Sequence, residues 1–321
     1  MVKPCIDIIL ATYNGARYIE QQIRSIQQCD HYFYLVARII VVDDGSVDDT
    51  RAIVCNLQNS DSKIEWHINK SGKQGAKENF SYALGLAQSE YIMLCDQDDF
   101  WHKDKILLSY QALIALQANN QPQLVFTDKV VVDDLLNVIC ESFFKYRKIP
   151  INWHESTERL LQMNVASGCT MMFNQALLRQ AMPIPTQAFM HDWWLILVAQ
   201  LSGNVILINR ATIKYRQHSK NTIGAKDYSL NYLVRNFSEH LEKFERNFWR
   251  AVEQAETITS LFNNEPDVDV PFSHFRKLGY WRRLGYFFQG RVCQSNWKSQ
   301  LALFLILLKG TSYTKLNSHK S

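Results

Sequence analysis

The sequence predicts an α/β protein with a doubly wound, mostly parallel sheet, helices on both faces and a helical C-terminal extension. Three observations predict it. From Cys5 to Leu116 short apolar runs alternate with stretches whose apolar residues recur at helical spacing, the rhythm of successive βα units. Several runs end abruptly in turns rich in Asp, Asn or Gly, and in a parallel sheet such turns open on one edge. At 321 residues and 47% hydrophobic content the chain can bury the core that such a sheet needs.

Cys5–Ala11 reads as the first strand, buried on both faces because it is apolar at nearly every position. Thr12, Tyr13, Asn14 and Gly15 form a turn, and Ile19, Ile23 and Ile26 lie along one face of the following helix. Val36–Val42 is the second strand. Asp43, Asp44, Gly45 and Ser46 turn the chain, and Ser46 with Asp49 resembles a capping box for the next helix. Ile64–Ile68 and Asn79–Ala87 are the third strand and its helix; Tyr91–Cys95 and Lys103–Leu116 are the fourth strand and the helix beyond it.

Between these last two stands the feature that organises the rest: Asp96, Gln97, Asp98 and Asp99, at the carboxyl end of a buried strand. One Asp there would be an ordinary helix cap. Three repel one another unless a cation neutralises them. Asp96 and Asp98, in an extended turn, can point to one side and offer hard oxygen ligands to Mg2+ or Mn2+. A nucleotide suits the same edge, with Asp43 or Asp44 accepting from a base N–H or a ribose hydroxyl. No Gly-x-Gly-x-x-Gly follows a strand, and Gly72, Lys73 and Gly75 lack the spacing of a phosphate-binding loop. Without a glycine cradle, a diphosphate has to be met by metal and basic side chains.

Beyond Gln123 the pattern is less regular. Leu124–Thr127 and Lys129–Val132 read as short strands around Asp128, Trp153–Met163 as a helix, and Ser167–Phe173 as a turn into a strand. Met190–Leu195 opens an apolar helix running to Leu201. Asp192 at its start reads as a cap or, paired with the acid turn, as a general base. Val205–Ile208 and Thr212–Tyr215 are short strands leading to Arg216, His218 and Lys220, a cationic loop suited to phosphate oxygens.

Tyr228–Phe262 reads as one or two amphipathic helices and Asn263–Asp267 as a break. The tail is a separate electrostatic object: nine Lys and Arg follow Asp269, and no Asp or Glu does, in a chain of net charge +4. Nucleic acid is disfavoured as its partner because aromatic and aliphatic residues interleave the cations. That mixture fits a helix lying on an anionic membrane, or a helical cap packed on the preceding domain. Leu301–Leu308 is too short to span a bilayer. Seven cysteines without a Cys-x-x-Cys pair, and a start without a secretory leader, fit reduced thiols in a cytoplasm.

These stretches together resemble the family 2 glycosyltransferases, which have the GT-A fold. The resemblance rests on Ile8–Asn14, Ile40–Ser46, Asn79 with Phe80, Leu94–Trp101, Ser167 with Gly168, His191–Trp194, and Tyr215–His218 with Asn221, over roughly the first 225 residues. It implies a catalytic domain over 1–225 and a basic extension over 226–321. It also implies inverting transfer of a sugar from a dTDP- or UDP-sugar to a hydroxyl of a lipid-linked or oligosaccharide acceptor. This would serve surface-glycan synthesis in the cytoplasm, peripheral on the inner face of the membrane. Thr12, Tyr13, Asn14, Asp43, Asp44, Lys77, Asp96, Gln97 and Arg216 would bind the nucleotide sugar. Asp96, Asp98 and His218 would hold Mg2+ or Mn2+, and Asp192 would be the base. Many relatives place Glu before that Asp, whereas this chain has His191; a rhamnosyltransferase-like subgroup has the His-Asp-Trp-Trp form. Trp101, Trp193 and Trp194 are either sugar-stacking platforms or core. A sugar nucleotidyltransferase would need a glycine-rich, basic N-terminal loop that is missing here. A non-catalytic binding subunit would not need the intact metal, base and diphosphate candidates.

Overall fold

Four adjacent parallel strands carry the turns that the sequence singles out. A computed structural model describes residues 4–116, 120–218, 237–262, 272 and 274–309. Lys220, Asn221, the start of the Tyr228–Phe262 stretch and the Asn263–Asp267 break lie outside the described residues. In chain order the elements are β1 (Ile6–Thr12), α1 (Ile19–Gln27), α2 (Tyr32–Leu35), β2 (Val36–Asp43), α3 (Thr50–Ser60), β3 (Ile64–Ile68), α4 (Ala76–Leu84), β4 (Tyr91–Asp96), β5 (Phe100–Trp101) and α5 (Lys105–Ile114). There follow β6 (Gln123–Val132), β7 (Val138–Cys140), α6 (Phe143–Arg147), α7 (Thr157–Gln162), β8 (Met171–Asn174), α8 (Gln175–Ala181), α9 (His191–Ser202) and β9 (Asn204–Arg216), then α10 (Phe237–Leu261), α11 (Tyr280–Phe288) and α12 (Trp297–Leu308).

The sheet runs β3-β2-β1-β4-β8-β6-β9-β5, with β7 paired to β6. β1 lies between β2 and β4, parallel to both, and Ala11 sits opposite Val42 on one side and Asp96 on the other. The turns after β1, β2 and β4 therefore leave the sheet at one edge. β8 enters antiparallel between β4 and β6, while β9 runs parallel to β6. The parallel half thus matches the expectation, and the antiparallel pairs lie on the other side of β4.

Two pairs of short strands expected from the sequence are each one long strand, β6 and β9. The pairing between them shifts at Asp128 and then continues. Asp128 Oδ1 accepts the Lys129 and Phe143 amides at 2.8 and 3.0 Å, so a polar residue is absorbed as a local irregularity. The expected capping box is replaced by a different bond set. Ser46 Oγ donates to Asp43 and accepts from the Asn14 amide at 2.7 Å, and α3 starts only at Thr50. The helix after β3 starts at Ala76, earlier than its apolar pattern indicates, because Gly75 at φ 106° makes the turn into it.

The core forms where Ile6, Ile8 and Leu10 of β1 meet Ile39 and Val41 of β2 and Met93 and Cys95 of β4. Asp7, in the middle of β1, is fully buried and held by a two-pronged Arg38 pair, 2.6 and 3.1 Å, with the Gln88 and Ser89 amides. Burial pushes its carboxyl up, but Arg38 and these amides outweigh that and hold it below the usual carboxylate range. All seven cysteines are free.

The chain divides into two compact units. The first comprises 1–146, 166–184 and 190–224 and contains the sheet; the second comprises 147–165, 185–189 and 225–321. The second is knitted from separate stretches: Gln162 donates to the Arg291 carbonyl at 3.0 Å and accepts from the Cys293 amide at 2.8 Å. Phe248, Trp249, Phe272 and Phe275 cluster in its interior.

Candidate functional site

The three strand-end turns are bonded to one another across long sequence separations. Gln97 ties the first to the third: its Oε1 accepts the Thr12 hydroxyl at 2.6 Å and the Tyr13 amide at 2.9 Å, and its Nε2 donates to the Tyr13 carbonyl at 3.1 Å. Asn14 ties the first to the second, accepting the Val47 amide at 2.9 Å from a left-handed backbone at φ 48°. Gly15 follows, and a Cβ on it would lie 2.4 Å from Gln97 Oε1 and 2.7 Å from Thr12 Oγ1. Close approach of these turns requires glycine there.

Asp43 and Asp44 are buried, and each braces backbone. Asp43 accepts the Gly45 and Ser46 amides at 3.1 and 2.9 Å. Asp44 accepts Asn69 Nδ2 at 2.9 Å and the Gly75 amide at 2.7 Å, holding the loop before α4. Each carboxylate oxygen can accept more than one bond, so both remain able to receive a ligand N–H or O–H. Tyr13 is exposed beside them. Lys77, in the first turn of α4, pairs with Glu78 at 3.4 Å.

The acid turn divides into two sets. Asp98 pairs with His218, whose Nε2 lies 2.8 Å from Asp98 Oδ2 while its ring stacks on Tyr18 at 5.0 Å. Asp96 and Asp99 gather with Cys169, and the ligand atoms of these three lie within 4.8 Å of one another. Burial, and next the charge of Asp98, pushes Asp96 up to about 7, and the same causes hold Asp99 well above the carboxylate range. Asp99 Oδ2 is buried with no hydrogen-bond partner. Carboxyl groups crowded at one buried turn, with an oxygen left unbonded, fit a cation, and the oxygen-rich donor set fits Mg2+ or Mn2+. The Cys169 thiol, itself raised by burial, is the softer member of the set.

Arg216 lies under the turn rather than beside it. Its Nε donates to the Asp98 carbonyl at 2.9 Å, Nη2 to Gln21 at 2.6 Å and Nη1 to the Asp134 carbonyl, and the residue is buried. Its charge therefore supports the turn from inside.

Asp192 opens α9, where the helix dipole favours a carboxylate. Its Oδ2 accepts the Gly168 amide at 3.1 Å and its Oδ1 the Trp193 amide at 2.7 Å. It is near enough that its charge helps to raise Asp96. His191 is buried against Phe80, ring centroids 4.0 Å apart, and burial holds it down to about 4. The indoles resolve in favour of core: Trp101, Trp193 and Trp194 are buried, and Trp194 Nε1 donates to the Ala181 carbonyl at 2.9 Å.

Sequence reasoning missed Lys129 and Cys169. Lys129 is buried under the Tyr215 ring, 3.5 Å from its centroid, donates to Ser167 Oγ at 2.7 Å, and lowers both Asp96 and Asp99. It is the internal counter-charge of the acid cluster. A lysine inside an otherwise apolar strand was the available signal.

The model of the family described as glycosyl transferase family 2 matches residues 7–180. The GalNAc(5)-diNAcBac-PP-undecaprenol beta-1,3-glucosyltransferase of Campylobacter jejuni is 38% identical over 96 residues, 30% of each chain, so that match spans under a third of the relative. The dTDP-rhamnosyl transferase RfbG of Shigella flexneri is 28% identical over 295 residues, 85% of this chain and 93% of that one. Among solved structures, the mannosyltransferase PcManGT of Pyrobaculum calidifontis, in complex with GDP-Man and Mn2+, superposes with a TM-score of 0.54 at 15% identity, covering 97% of this chain and 77% of that one. At that identity the likeness concerns the fold.

Proposed function

The chain belongs to glycosyl transferase family 2, and from that premise we propose an inverting transferase with its site in the first unit, moving a sugar from a nucleoside diphosphate to a hydroxyl of a surface glycan. The observation that carries the reading is the position of Asp192, fixed by the Gly168 and Trp193 amides at the head of α9, with Gly168 packed between it and Leu94 of β4, the strand that ends in the acid turn. A candidate base beside the strand that carries the acid turn supports a displacement at a sugar carbon.

The roles assigned to the site residues are these. Thr12, Tyr13, Asn14, Asp43 and Asp44 form the wall of a base and ribose site. Gln97 holds that wall to the acid turn. Asp96 and Asp98 would hold the metal, Asp98 oriented by His218 and Asp99 adding the third carboxylate of the cluster, while Lys129 sets the charge behind them. Arg216 positions the turn, and Lys77, in the first turn of α4, is the candidate to meet a diphosphate oxygen. A bound Mg2+ or Mn2+ would stabilise the negative charge that develops on the leaving diphosphate. Asp192 takes the acceptor hydroxyl proton as that oxygen bonds to the anomeric carbon, and the bond from this carbon to the diphosphate oxygen breaks on the opposite face. One such displacement inverts the centre.

The likeness to RfbG over most of both chains makes dTDP-rhamnose the first donor to test, with UDP-sugars next. The acceptor class is a lipid-linked or oligosaccharide hydroxyl. Asp192→Asn keeps the size and one of the two amide contacts and removes the base. Transfer should fall about 100-fold or more with donor affinity retained. Full activity in this variant would remove Asp192 from the chemistry.

A further inference from the structure

Among the described residues of the second unit, α11 and α12 present an exposed apolar surface. α12 buries Leu303, Ile306 and Leu307. Trp297, Leu301, Phe304 and Leu308, spaced four, three and four apart, line a second stripe. Trp297 is 71% exposed, Leu301 48% and Leu308 44%. On α11, Trp281 at 80% and Phe288 at 74% stand seven residues apart, two turns along one side. The rings of Phe288 and Phe304 approach to 6.2 Å, so the two stripes join into one face.

Cations accompany this face. Arg282, Arg291, Lys298 and Lys309 are exposed on or beside the two helices, and no Asp or Glu follows Asp269. A second copy of the chain docked face to face would bring these cations against one another with no acid in the segment to offset them. An anionic surface complements them. Trp at 281 and 297 suits the headgroup level of a bilayer, where an indole has an apolar body and a polar N–H to place. α12, at 12 residues, is about 18 Å long, well short of the ~30 Å hydrocarbon core. No helix among the described residues is long and apolar enough to cross a membrane. A face of this kind lies in the interface plane.

We propose that the joined face of α11 and α12 docks on an anionic lipid bilayer, with Trp281, Phe288 and Trp297 entering the headgroup boundary and Arg282, Arg291, Lys298 and Lys309 meeting lipid phosphates. The inference goes beyond the transfer reaction and stands independently of it.

The test is flotation of the full chain with vesicles of pure phosphatidylcholine and of phosphatidylcholine containing about one third phosphatidylglycerol. The chain should partition at least tenfold better onto the anionic vesicles, and added salt should weaken this. The combined Trp281→Ser, Phe288→Ser and Trp297→Ser variant should lose at least tenfold in binding while keeping its circular dichroism, because all three side chains are exposed. Arg282→Gln with Lys298→Gln should erase most of the preference for anionic lipid. Three results would overturn the proposal: no binding of the unaltered chain to anionic vesicles, binding unchanged by the aromatic substitutions, or a concentration-dependent dimer that those substitutions abolish.

Discussion

His218 Nε2 lies 2.8 Å from Asp98 Oδ2, a contact between residues 120 positions apart that brings the end of β9 onto the turn after β4. Tyr18 backs the imidazole and Arg216 holds the Asp98 carbonyl, so the carboxylate is oriented from two directions. Carboxylates oriented in this way bind metal more tightly than free ones. His218→Ala should therefore weaken Mn2+ affinity by about 10- to 100-fold without loss of fold. Titration of Mn2+ into both proteins checks this; equal affinities would separate His218 from the metal site.

Gly15→Ala should damage the same site through the opposite turn. Its new Cβ would sit 2.4 Å from Gln97 Oε1, which is pinned by Thr12 and Tyr13 and cannot swing away without losing both bonds. A cost of about 1–3 kcal/mol follows, with weaker nucleotide binding. Gly285→Ala is the control: nothing lies within 4 Å of that Cβ, so stability should hold or rise slightly. Thermal melts and nucleotide titration of the two variants make the comparison.

Much of this arrangement was legible in the sequence, for a physical reason. β1, β2 and β4 are buried on both faces, so their apolar runs are nearly unbroken, and the polar residues that end them stand out. Asp96, Asp98 and Asp192 were visible because carboxylates at those points lack a bland explanation together. The bonds among the turns were not legible: Gln97 reaching Thr12, or Ser46 turning back to Asp43 instead of capping α3, depends on how strands pair. Arg216 was visible as a cation, but its burial beneath Asp98 was not. Lys129 was hidden because strand periodicity does not reveal which face meets the acid cluster.

The buried His191 gives the fold a pH signature. Burial holds the folded-state imidazole down to about 4, against about 6.5 when unfolded. Between these values the unfolded chain binds a proton that the folded chain does not. Stability should fall as pH drops from about 6.5 toward 4, by up to about 3 kcal/mol. His191→Phe, which can keep the stack on Phe80, should flatten that part of the profile. Denaturant melts at several pH values compare the two; an identical slope would place the acid sensitivity elsewhere.

The central claim is a metal-supported nucleotide-sugar site at the acid turn. Its most direct measurement is isothermal titration of UDP, dTDP and GDP into the purified protein with Mn2+ and with EDTA, repeated on Asp98→Ala. One diphosphate should bind, EDTA should abolish that binding, and the variant should bind at least tenfold more weakly. Binding of none of them, or equal binding with EDTA and in the variant, would contradict the claim.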